Sequence, residues 1–285
     1  MKFSVYQNSR VGGRKYNQDR VAYAYTDEAL LLVLADGMGG HLHGELAAEI
    51  TIDTYMKAFE QAAHPRVPEP EKFLGVTMRH AHNAIVKFAQ ENQLGGNPGT
   101  TCVAALVQDG QVCWAHAGDS RFYLLRAGAT ADVTHDHSVV QQWADWGIIS
   151  TDEMKTHPER NKITNCLGGV GELFYAEPTD AVPMQSGDVL LLCSDGLWSP
   201  LVDEEIATSF RAAPLEATLN HLMDLSIGRE GDRADNTTAV VVRWGDGEEI
   251  KAAPVPVCVV LDLDELESAS DILGRTRADM KPITD

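Results

Sequence analysis

Apolar runs that stop at an acid punctuate this chain. Leu31-Leu32-Val33-Leu34-Ala35 ends in Asp36-Gly37-Met38-Gly39-Gly40, and Val189-Leu190-Leu191-Leu192-Cys193 ends in Ser194-Asp195-Gly196. A short continuous apolar run closed by turn residues reads as a buried strand that delivers one carboxylate to an open site. In the reverse order, Asp235-Asn236-Thr237-Thr238 leads into Ala239-Val240-Val241-Val242. Residues 1–35 read as short strands with a turn at Gly12-Gly13. Residues 44–63 and 71–93, rich in Ala, Glu, Met and Lys, read as helices, and the proline segment from His64 to Pro70 separates them. Strands follow at 100–107, 111–117 and 121–126, with Asp109-Gly110 as a hairpin turn. The pattern then gives a helix at 136–147, an irregular glycine-containing insertion at 148–180 and a strand at 188–193. Helices near 203–211 and 214–228 and a last strand at 237–244 complete it. Strands and helices come in blocks, with hairpins among the strands. That order predicts an α+β fold with antiparallel sheets.

The segment from Gly245 to Asp285 has a different texture. It holds one apolar piece, Val255 to Leu263, among scattered acids. That piece is expected to pack on the domain or dock a partner, since so many aliphatic side chains are costly to leave in water.

Composition narrows the function. The 285 residues are 44% hydrophobic, enough for a sizeable core, and the formal charge is -19. Such a charge repels phosphate backbones and anionic membrane surfaces, so neither nucleic acid nor membrane is an expected partner. The five cysteines, Cys102, Cys113, Cys166, Cys193 and Cys258, show no CxxC spacing. An odd, unpaired set indicates a reducing compartment. Met1-Lys2-Phe3-Ser4-Val5 lacks the apolar core of a signal peptide, and no apolar stretch is long enough to span a bilayer. A cytoplasmic protein of bacterial type, acting as a monomer, is expected.

Each acid at a strand edge alone is a common turn. Together Asp36, Asp195 and Asp235 suggest a cluster of oxygen ligands, which repels itself unless cations fill it. Hard ions such as Mg²⁺ and Mn²⁺ suit such donors, and a pair of them is suited to phosphoryl chemistry. Gly37, lacking a side chain, lets its carbonyl approach a cation. Asp19 and Asp119 add a fourth and a fifth acid, and Arg14 supplies a guanidinium that matches phosphate geometry.

In this order and spacing the motifs resemble those of the metal-dependent protein phosphatases of type 2C (PPM), in their compact bacterial form. They are Arg14-x-x-Asn17-x-Asp19, Asp36-Gly37-Met38-Gly39-Gly40-His41 with Gly44-Glu45, Gly99-Thr100-Thr101, and Gly118-Asp119-Ser120-Arg121. Asp136-His137-Ser138, Leu167-Gly168, Ser194-Asp195-Gly196-Leu197-Trp198 and Asp235-Asn236-Thr237-Thr238 follow. The resemblance implies a central β-sandwich of two antiparallel sheets flanked by helices, with a flap at about 140–180 beside the site. It implies a catalytic domain at 1–245 and an acidic extension at 246–285. It implies hydrolysis of phosphoserine and phosphothreonine on proteins by a metal-activated water at a binuclear Mn²⁺ or Mg²⁺ centre. Asp36 would bridge the two ions, with the Gly37 carbonyl, Asp195 and Asp235 completing the set. Asp19 would position water, Asp119 with Asp195 would correspond to a third, weaker ion, and Arg14 would bind the substrate phosphate. The expected partners are phosphorylated proteins, including a Ser/Thr kinase or its substrates.

Two positions depart from many relatives. Gln18 replaces an acid and so removes one negative charge near the second ion. Met38 stands where eukaryotic relatives carry a histidine proposed as the general acid and where bacterial relatives often have Met, which leaves His41 as the candidate proton donor or as a brace for the glycine loop. A phosphoprotein-binding module without turnover is disfavoured by intact Asp36, Asp195 and Asp235. A nuclease is disfavoured by the charge and by the lack of a basic stripe.

Overall fold

The computed structural model describes residues 1–38, 43–94, 96–169, 176–211, 213–249 and 256–261. Along the chain run β1 (Lys2–Arg10), β2 (Asp19–Tyr25), β3 (Ala29–Asp36), α1 (Gly44–Ala62), α2 (Pro70–Glu91), β4 (Gly99–Thr100), β5 (Cys102–Gln108), β6 (Gln111–Ala117), β7 (Arg121–Arg126) and β8 (Ala129–Val133). Then come α3 (Val139–Asp145), α4 (Thr151–Met154), β9 (Leu167–Gly168), β10 (Val182–Pro183), β11 (Val189–Cys193), α5 (Asp195–Trp198), α6 (Asp203–Ser209), α7 (Leu215–Glu230), β12 (Thr237–Glu249) and β13 (Val257–Val260).

Two antiparallel sheets form the centre. One has the order β1-β12-β11-β7-β8 and the other β10-β6-β5-β3-β2-β13. Strand β3 shows why they stack. Every residue in it except Asp36 is buried. Leu30, Leu32 and Leu34 point into the layer between the sheets, where Phe122, Leu190, Leu192, Val240 and Val242 of the opposing sheet meet them. Leu31, Val33 and Ala35 point the other way, under α1 and α2. The period of two thus serves two cores from one apolar run. On α1 the buried set Ala48, Ile52, Tyr55, Met56 and Phe59 follows helical spacing. A third core lies between the five-stranded sheet and α5, α6 and α7, around Leu191, Leu219, Leu222 and Val241. The result is an α-β-β-α sandwich, the architecture that the family resemblance implies, and its sheets are antiparallel, as the block order predicts.

The differences are local. The helix expected at 136–147 begins only at Val139, because Ser138 caps it by accepting from the Gln141 amide. The irregular insertion contains the one-turn α4 and is rooted by a bridge between Ser138 and Ile163. The last strand extends five residues past Trp244, to Glu249. Part of the apolar piece in the tail forms β13, an edge strand on β2 with Val257 opposite Tyr25 and Val260 opposite Ala22. Among the described residues no helix is long and apolar enough to cross a membrane.

Candidate active site

Strand direction brings the acids to one end of the sandwich. β2 begins with Asp19 and β3 ends with Asp36, and these residues are direct partners in the antiparallel register. The last residue of β11, Cys193, lies opposite Ala239 near the start of β12, so the Ser194-Asp195 exit and the Asp235-Asn236 entry lie side by side. Asp119 follows the end of β6 at Ala117, and the β5–β6 register sets Ala117 beside Cys102.

Backbone bonds fix the Asp36 corner. Its carbonyl accepts from the Thr101 amide at 2.8 Å and from the Thr100 hydroxyl at 2.8 Å. Its amide donates to the Thr101 hydroxyl at 3.1 Å. Gly37 has no room for a side chain, since a Cβ there would lie 2.5 Å from the Gly44 carbonyl group and 2.7 Å from the Gln18 carbonyl oxygen. The glycine is needed for the close approach of β3 to the start of α1 as well as for access to its own carbonyl.

Asp19 is fully buried. Its Oδ2 accepts from the Ser194 hydroxyl at 2.9 Å, while its Oδ1 has no hydrogen-bond partner among the described residues. A buried carboxylate oxygen without a donor is a place for water or a cation. Burial pushes Asp19 up to about 6; donors on Ser194 and Thr238 and a bond shared with Asp36 pull it back. Burial likewise holds Asp36 well above the usual carboxylate range, and the charges of Asp19, Asp195, Asp119 and Asp235 add to that. Asp195 is raised by burial and then by Asp119, Asp235 and Asp19, with Arg14 opposing. Asp119 is pushed up to about 7 by burial and by Asp136. These acids destabilise one another's charge, and positive charge delivered among them would relieve it.

Arg14 is the cation at the rim. Its Nη2 donates to Asp235 Oδ2 at 2.5 Å. That bond comes first in raising the Arg14 pKa, and Asp195 and Asp36 also contribute. Among the described residues, no three His, Cys, Asp or Glu side chains close on a common point as ligands would; Asp235 is turned toward Arg14 instead. The donor chemistry still suits hard divalent cations: carboxylate oxygens, one of them orphaned, and a side-chain-free carbonyl.

The sequence singled out the acids, and the structure adds the residues that hold them. Asn236 accepts from the Gln18 amide at 2.9 Å and donates to the carbonyls of Val11 at 2.8 Å and Tyr16 at 3.1 Å, tying the Arg14 loop to the Asp235 turn. Gln18 donates to Glu45 at 2.9 Å. Arg121 makes a bidentate pair with Asp136, both bonds 2.8 Å, and lies over the Trp198 ring at 3.4 Å. The Trp198 indole donates to the Asp119 carbonyl at 2.9 Å. All of these fall inside the motifs, which was the available signal. His41, the candidate proton donor, lies outside the described residues.

A family model described as Protein phosphatase 2C matches residues 7–226. The serine/threonine phosphatase stp of Listeria innocua is 33% identical over 233 residues, covering 80% of this chain and 90% of that one. The structure of the S. agalactiae serine/threonine phosphatase superposes with a TM-score of 0.76 at 28% identity, covering 85% of this chain and 99% of that one. The catalytic domain of the serine threonine protein phosphatase PstP, solved in complex with 2 manganese ions, superposes with a TM-score of 0.70 at 29% identity over 85% of this chain and 97% of that one. The chain belongs to the protein phosphatase 2C family and is a protein-serine/threonine phosphatase of its bacterial form.

Proposed function

We propose that the acidic end of the sandwich is the catalytic centre, and that it removes phosphate from phosphoserine and phosphothreonine on proteins with two divalent ions held by Asp36, the Gly37 carbonyl, Asp195 and Asp235. The observation that carries this reading is the convergence of Asp19, Asp36, Asp119 and Asp195, each raised by burial and by its neighbours. Such a set is costly as an empty arrangement and favourable as a cation site. Bound there, Mn²⁺ or Mg²⁺ would supply the positive charge that polarises the phosphoryl group and activates water. Asp19, with one oxygen bonded to Ser194 and the other without a partner among the described residues, would orient that water. Asp119 beside Asp195 would take a third, weaker ion. Arg14 would leave Asp235 to hold the substrate phosphate. With water activated in this way as the attacking group, no covalent enzyme intermediate would be required.

The expected substrates are phosphoproteins, and the expected biological role is to oppose a bacterial Ser/Thr kinase. Five free cysteines, three of them buried, support a reducing cytoplasmic setting. The test is Mn²⁺-dependent hydrolysis of p-nitrophenyl phosphate, a phosphothreonine peptide and DNA in parallel, with metal binding followed by calorimetry. Turnover of the first two, lost with chelator, together with two bound ions per chain, is the expected outcome. Full activity after exhaustive chelation would overturn the two-ion centre.

A further inference from the structure

Strand β2 buries a positive charge that the catalytic reading does not use. Asp19 and Arg20 are successive residues of this strand, so their side chains leave opposite faces of the sheet. Asp19 turns inward with Val21, toward Ser194 of the opposing sheet. Arg20 turns outward with Ala22 and Ala24, under α1. It is only 6% exposed, and its Nη2 has no hydrogen-bond partner among the described residues. Burial lowers its pKa, while the charges of Glu49 and Glu45, one turn apart on α1, and of Asp19 oppose that. A buried guanidinium with an amino group left over is a costly way to fill the space beneath a helix. An apolar side chain would fill it without desolvating a charge.

The bonds of Arg20 show what the charge is set against. Its Nη1 donates to the Asp19 carbonyl at 2.8 Å and to the Asn17 carbonyl at 3.1 Å. The carbonyl between them, that of Gln18, accepts from the Gly37 amide at 3.2 Å. Three consecutive carbonyls are thus held, two by Arg20 and the middle one by the residue after Asp36. The amides of the same segment are held as well: that of Asp19 donates to the Asn17 side chain at 3.0 Å and that of Gln18 to Asn236 at 2.9 Å. Arg20 therefore clamps the turn by which the chain enters β2, at the point where that turn meets Gly37.

We infer that Arg20 is a positioning residue of the catalytic centre: by bridging the Asn17 and Asp19 carbonyls it fixes the backbone that carries the Asp19 carboxylate and that meets the Gly37 peptide. The inference rests on the phosphatase reading and adds to it a residue that acts only through its neighbours.

The experiment compares three variants. Arg20→Met keeps most of the stem and removes the donors, and Arg20→Lys keeps a charged donor without the planar fork. Ile52→Ala, in the core that α1 forms with the same face of the sheet, loosens the packing and leaves the clamp intact. Each is followed by denaturant unfolding, by calorimetric titration with Mn²⁺, and by turnover of p-nitrophenyl phosphate well below its unfolding midpoint. Arg20→Met should bind Mn²⁺ roughly tenfold more weakly and lose roughly tenfold in kcat with KM little changed, the scale of one hydrogen bond from a charged group. Arg20→Lys should recover part of both. Ile52→Ala should lose stability and keep wild-type kcat and Mn²⁺ affinity. If Arg20→Met matches Ile52→Ala in kcat and in Mn²⁺ affinity, the proposal is overturned. If Arg20→Met does not fold, Arg20→Lys decides, and wild-type values of both in that variant overturn the proposal. Either result leaves the phosphatase reading standing. No turnover by the wild-type protein with Mn²⁺ present overturns both.

Discussion

Arg14 and Asp235 are joined by a 2.5 Å charge-assisted hydrogen bond between side chains that are both partly exposed. One is the group proposed to hold substrate phosphate, and the other is proposed to hold a metal ion. On that proposal each would occupy the other in the absence of ion and phosphate: a cation beside Asp235 would weaken the pair and free the guanidinium, and bound phosphate would free the carboxylate.

Replacing Arg14 by Ala should have two opposite effects. KM for a phosphothreonine peptide should rise about tenfold or more, because a guanidinium–phosphate contact already made in the ground state is lost. Binding of Mn²⁺ without substrate should tighten, because Asp235 loses its competitor. Steady-state kinetics and a calorimetric titration read the two separately. An unchanged KM with a reduced kcat would move Arg14 from binding to the chemical step.

Metal-free protein should lose stability as pH rises from about 4 to about 7. Asp19 is pushed up to about 6 and Asp119 to about 7, while an unfolded aspartate titrates near 3.8. In that window the folded state binds more protons than the unfolded one, so unfolding becomes easier with rising pH. The contribution is full below about 4 and gone above about 7, on the order of a few kcal/mol in all. Relief of the general negative charge acts in the same direction. Denaturant unfolding in the presence of chelator should therefore give greater stability at pH 5 than at pH 8, and Mn²⁺ should recover most of the difference at pH 8. A chelated protein that is more stable at pH 8 would show that the acids are not held together as described.

The acids were legible in the sequence because the physics that places them is local. Leu31 to Ala35 must be a buried strand, so whatever follows it emerges at a sheet end. The same argument placed Asp195 and Asp235. The short elements were not legible. β8, Ala129–Val133, is a sheet edge whose residues are exposed or half-buried and carry no apolar run. α5 is only Asp195–Trp198, too short for a helical period. The partnership of Arg121, Asp136 and Trp198 depends on chain segments that only the folded sandwich brings together. The Arg14–Asp235 pair joins residues 221 positions apart and is likewise a product of the fold.

Arg121→Lys should be damaging although it keeps the charge. Lysine cannot reproduce the two parallel bonds to Asp136, nor the planar stack over Trp198. Asp136 would be left buried beside Asp119 with a poorer partner, at a cost of about 2–4 kcal/mol in stability. Because Trp198 also fixes the Asp119 carbonyl, kcat should fall along with stability. Chemical denaturation and p-nitrophenyl phosphate turnover measure both, and wild-type values in each would refute a bracing role for this triad.

Truncation after Asp246 tests where the catalytic unit ends. The proposed division leaves every site residue in place, since Asp235 is the last of them. The cut removes β13, however, whose hydrogen bonds cover the outer edge of β2. It also removes Cys258, packed on the core beneath α1, and Leu261, packed on the core between the sheets. The Leu261 amide donates to the Val21 carbonyl at 3.2 Å, two residues from Asp19. Stability should drop by about 1–3 kcal/mol from lost apolar burial. The bare β2 edge should also make the shortened protein more prone to associate. Turnover of p-nitrophenyl phosphate should survive at temperatures well below the midpoint of unfolding, because Asp19 keeps its bonds to Asn17 and Ser194. If turnover instead collapses while the circular dichroism spectrum stays native, the segment beyond Asp246 belongs to the catalytic unit, and β13 does more than close a sheet edge.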